Sequence, residues 1–71
     1  MLSDPKLAVE VYGRLIEARG LIANSVARIK GRCTDDEYVA YRRAIGDVLG
    51  DLIINVLEPI RAAHPSVDFP E

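Results

Sequence analysis

The chain has one histidine, His64, and one cysteine, Cys33, and these are the side chains with the widest chemical range. His64 stands between Pro59 and Pro65. An imidazole there can act as a base or a metal ligand, but a helix end also suits a cation that complements the dipole, and the plainer role fits better. Cys33 follows Arg32 and comes just ahead of a helix start, a setting that favours thiol reactivity or an intermolecular disulfide. The plainer reading, a half-buried turn residue, leads. A nucleophile–base pair of Cys33 and His64 joins distant parts of the sequence, and an antiparallel symmetric dimer is one way to bring them together.

Asp47 and Asp51 stand four residues apart, on one helical face, where two carboxylates can share a divalent ion. The Glu-x-x-His pair that completes di-metal bundle sites is missing, so a solvated face is the better reading. Glu10, Arg14 and Glu17 are spaced for surface ion pairs worth only a few tenths of a kcal/mol, roughly. A basic group carries more weight: Arg28, Lys30, Arg32, Arg42 and Arg43 gather near one turn, with Tyr38 and Tyr41 close by to stack on bases. Asp35, Asp36 and Glu37 occupy the same end and cancel much of that field. No convergent catalytic, cofactor or metal set emerges, and the chain reads as non-enzymatic with no cofactor.

The elements that carry these residues are two long helices. Asp4-Pro5 is an N-cap followed by proline at the first helical position, where a missing N–H costs nothing. The first helix is expected over about 5–30, with Gly31 as its stop and Arg28, Lys30 and Arg32 favouring its negative end. A turn at 31–33 comes next. Thr34-Asp35-Asp36-Glu37 is a capping box that opens a second helix over about 35–58. Pro59 cannot donate to the Asn55 carbonyl, so this helix is expected to kink or end near Glu58. A short helical turn at 59–64 and an extended tail at 65–71 complete the expectation; the tail either lays Val67 and Phe69 against the bundle or frays, and its removal from Pro65 onward should cost little.

Helix 1 carries Val11, Leu15, Ala18, Ile22, Ser25 and Ile29 at alternating spacings of four and three, a coiled-coil-like seam interrupted by one serine. Beside it runs a row of mostly small residues: Val9, Gly13, Ile16, Gly20, Ala23 and Ala27. Helix 2 carries Tyr38, Tyr41, Ile45, Val48, Leu52 and Val56 along one stripe, and Val39, Gly46, Ile53, Leu57 and Ile60 along another. The short turn makes the two helices an antiparallel hairpin.

The chain has 71 residues, near the lower limit for folding alone, and 49% are apolar with no tryptophan, so the core should be aliphatic. One cysteine excludes an internal disulfide and a cysteine zinc site. Self-association is the remaining way for so small a chain to cover its apolar surface. The sequence therefore predicts an all-α fold, a single hairpin domain that dimerises into a four-helix bundle. Val39, Ile53, Leu57 and Ile60 lie round the cylinder from the intrachain stripe and are the expected dimer interface.

A net charge of −2 argues against a general grip on nucleic acid or anionic membrane. No apolar run approaches a membrane span, and the N-terminus lacks a signal-peptide layout. With one free cysteine, a reducing cytoplasm is the expected compartment. The functional expectation is a homodimeric interaction protein that docks a partner protein; the alternative is a nucleic-acid-binding regulator using the basic loop end.

Overall fold

A computed structural model describes all 71 residues. Helix α1 spans Pro5–Ile29 and α2 spans Asp35–Leu52; a π-helical turn, Ile53–Leu57, then leads directly into α3, Glu58–Ala63. The fold is all-α, and the first helix packs antiparallel to the run formed by the others. Both helix starts are explained by their side chains. Asp4 Oδ1 accepts the backbone N–H groups of Lys6 and Leu7 at 2.9 and 3.4 Å. Thr34 Oγ1 accepts the Glu37 N–H at 3.1 Å while Glu37 Oε1 accepts the Thr34 N–H at 2.9 Å, a complete capping box. Between the helices Gly31 has φ +78°, a left-handed conformation that glycine adopts without Cβ strain.

The change expected near Glu58 is found, since α2 gives way to the π turn and α3 begins at Glu58, but Pro59 does not interrupt the helical run. The backbone widens before it instead. The Glu58 N–H reaches back five residues to the Ile53 carbonyl, and Pro59 then sits in the first turn of α3, where it needs no donor. A π turn inserts about one residue, and one residue is ~100° of helix rotation, so the residues beyond it are swung round relative to α2.

That rotation brings Leu57 and Ile60 out of the row they share with Val39 and into the intrachain seam. They are 2% and 1% exposed and form the core with Ala8 and Tyr12. The expectation that Leu57 and Ile60 belong to a dimer interface is therefore corrected: both are consumed inside one chain. Ile53 is half-buried against the same core, and of the expected interface only Val39 is largely open.

The tail is also part of the core. Phe69 packs its ring 4.8 Å from that of Tyr12, and Pro70 covers Gly13, its Cγ 3.7 Å from where a Cβ would stand. Of the two expected courses of the tail, packing against the bundle is the one found for Phe69, and the contact argues against a cheap removal of residues from Pro65 onward; the core is aliphatic as expected except for Tyr12. At the other terminus Leu2 packs on the same cluster with φ +59°, uncommon for a residue with a side chain. His64 holds it there, its Nε2–H donating to the Leu2 carbonyl at 2.6 Å.

All four buried residues lie at this end, and α2 contributes none of them. The rod measures 45 × 16 × 14 Å with a radius of gyration of 15.0 Å, against ~11 Å for a compact domain of this length. Its accessible surface is 5280 Å², where a compact monomer of 7.8 kDa exposes roughly 4,400 Å².

Candidate interaction surface

The loop half of the hairpin is held by a thin seam. Ser25 Oγ donates to the Ile22 carbonyl at 2.6 Å, which uses its single proton, so the Tyr41 hydroxyl is the donor in the 2.8 Å bond to Ser25 Oγ. This bond ties α1 to α2 and fixes which flanks of the two helices adjoin. On the far side of the seam Arg19, Val26 and Leu49 are half-buried. On the Ser25–Tyr41 side the apolar residues stay open: Leu21 is 74% exposed, Val48 50% and Tyr41 36%. Ile54, at 63%, stands apart from them on the outer surface of the π turn. The serine that interrupts the helix-1 seam has a physical role, because Ser25 gives Tyr41 a polar anchor across the hairpin.

The basic group lies on the loop and on the helix ends that flank it. Arg28, Lys30, Arg32, Arg42 and Arg43 are all exposed around the loop, and the Arg42 guanidinium lies 5.7 Å from the centre of the Tyr38 ring. Asp35, Asp36 and Glu37 share that end and are equally open. Glu37 is held below its ordinary carboxylate pKa by the backbone hydrogen bond from Thr34 first and by the Thr34 side chain second. Cys33 is half-buried, its thiol donating to the Ile29 carbonyl at 3.4 Å, at the opposite end of the rod from His64. Within one chain the two form no nucleophile–base pair. His64 is occupied by Leu2 and by the Phe69 ring at 6.5 Å.

Asp47 and Asp51 are both exposed, and no three His, Cys, Asp or Glu side chains converge as a metal site. Of the charged trio on α1, only Glu10 and Arg14 meet, at 3.8 Å and largely in solvent. No pocket indents the surface, and no helix is long and apolar enough to cross a membrane. The surface feature left to explain is the open apolar flank of the hairpin. No family model, curated protein or solved structure matches this chain.

Proposed function

We propose that this chain is a non-catalytic interaction protein that works as a homodimer, two hairpins joined into a four-helix bundle that docks a partner protein. The observation that carries this reading is surface in excess. The chain exposes roughly 900 Å² more than a compact monomer of its mass. A standard interface removes about 800 Å² from each partner, so one copy covering the open flank accounts for the excess. Leu21, Tyr41 and Val48 supply the apolar centre such an interface needs. The free thiol of Cys33 suits a reducing cytoplasm as the place of action. Light scattering tests the dimer directly, and a melting temperature that rises with protein concentration tests its coupling to folding.

The second reading, a nucleic-acid-binding regulator, draws on the Arg42–Tyr38 stack amid the five loop-end cations. The neighbouring carboxylates weigh against it. Titration with DNA and RNA at two salt concentrations separates the two, because a phosphate binder weakens steeply as salt rises. The interaction-protein reading predicts no binding at either salt.

A further inference from the structure

Residues seven apart fall on nearly the same line of a helix, since two turns take up 7.2 residues. One such line on α1 holds Arg14, Leu21 and Arg28; one on α2 holds Glu37, Ala44 and Asp51. All six side chains are exposed. Both lines border the open flank. Leu21 stands between Ala18 and Ser25, and Ala44 between Tyr41 and Val48, so the Ser25–Tyr41 bond places the two lines on one side of the hairpin. One line reads basic, apolar, basic, and the other acidic, small apolar, acidic.

Resting on the homodimer reading, we infer that the second copy seats its α2 against this chain's α1, with the two-fold axis along the rod and both loops at the same end. Run antiparallel, the lines match in register. Arg14 meets Asp51 of the second copy, Leu21 packs on its Ala44, and Arg28 meets its Glu37. Symmetry repeats the set on the other side of the bundle. The opposite arrangement, with loops at opposite ends, pairs α1 with α1 and α2 with α2. It sets Arg14 against Arg28, an opposition that Glu10 and Glu17 beside them offset only in part, and it sets Glu37 against Asp51. Like charges held together across an interface oppose it, so the electrostatics select the first arrangement. The seam Leu21–Ala44 is also complementary in size, a large side chain against a small one.

Cys33 offers a native position for a nitroxide label, and dipolar electron spin resonance measures the distance between the two labels of a dimer. Light scattering on the same sample establishes the oligomeric state first. With loops at one end, the labels lie within two or three interhelical spacings, roughly 20–30 Å. With loops at opposite ends, they approach the 45 Å length of the rod. A second arm needs no label. Arg14→Glu and Asp51→Arg each weaken the dimer by roughly threefold to thirtyfold in Kd, because two exposed ion pairs per dimer become like-charge pairs. The chain carrying both changes recovers its affinity.

A dimer with short label distances and restored affinity in the double variant supports the arrangement. A dimer with distances near the rod length, or one tightened by Asp51→Arg alone, overturns the arrangement and leaves the homodimer standing. A monomer in light scattering removes the homodimer and this inference with it.

Discussion

Replacing Phe69 with alanine is the sharpest probe of how this core is built. Full burial makes a Phe→Ala change cost about 3–5 kcal/mol. Phe69 is half-buried, which scales the loss to about half, and its ring contact with Tyr12 belongs to a class worth about 0.5–1.5 kcal/mol. Together these give a loss of about 3 kcal/mol. A 71-residue domain has roughly 4–10 kcal/mol of net stability, so one tail residue holds a substantial part of it. The melting temperature should fall by roughly 12–24 °C. Urea unfolding followed by circular dichroism, at matched protein concentration, provides the free energy. Val67→Ala, in the same tail but outside the core cluster, serves as the control. A loss below about 0.5 kcal/mol for Phe69→Ala would show that the tail does not seal the core, because surface changes fall in that range.

The rotation introduced by the π turn separates residues that a regular helix groups together: Leu57→Ala should cost about 2–5 kcal/mol and Val39→Ala under about 1 kcal/mol, both read by urea unfolding. Equal costs would return Leu57 to the surface row. Gly20 and Gly46 have nothing within 4 Å of an added Cβ, so Gly20→Ala and Gly46→Ala should each stabilise by about 0.5–1 kcal/mol in thermal melts. Loss of stability at either would place another backbone against that face. Thr34→Ala should cost about 1 kcal/mol through the lost cap. For Glu37, whose carboxyl is held below its ordinary value of 4.5, the folded state favours the ionised form. Its contribution is present above that value and is lost as pH falls below it. The stability difference between wild type and Glu37→Gln should therefore shrink on acidification, and a difference constant from pH 7 to pH 3 would contradict the assignment.

The features legible in the residues alone are those that local chemistry dictates. Asp4-Pro5 and Thr34–Glu37 mark their helix starts because caps are made by side chains a few positions away. Gly31 marks the turn because its conformation is its own. The α1 seam is legible only in part: Leu15, Ile22 and Ile29 are half-buried as their spacing predicts, but the two fully buried residues, Ala8 and Tyr12, fall outside the row read from the sequence. A helical wheel puts Leu57 and Ile60 on the wrong side because it assumes a constant rotation per residue, and Pro59 changes that rotation upstream of itself. The tail carries no period, so nothing local announces that Phe69 meets Tyr12 across the fold. His64 likewise finds its partner at Leu2, 62 residues away. The flank pairing of Arg14, Leu21 and Arg28 with Glu37, Ala44 and Asp51 is present in the seven-residue spacing. It acquires meaning only with the Ser25–Tyr41 bond, which shows which flanks adjoin.

Whether a second copy covers the open flank of the hairpin is decided by analytical ultracentrifugation of the full chain over a range of concentrations. A homodimer gives a species of twice the 7.8 kDa chain mass at micromolar concentration, dissociating on dilution. Leu21→Asp or Val48→Asp should then shift the equilibrium strongly toward monomer, since each puts a charge at the apolar centre of the interface. A wild-type chain that sediments as a well-folded monomer throughout that range, with a melting temperature independent of concentration, would contradict the homodimer.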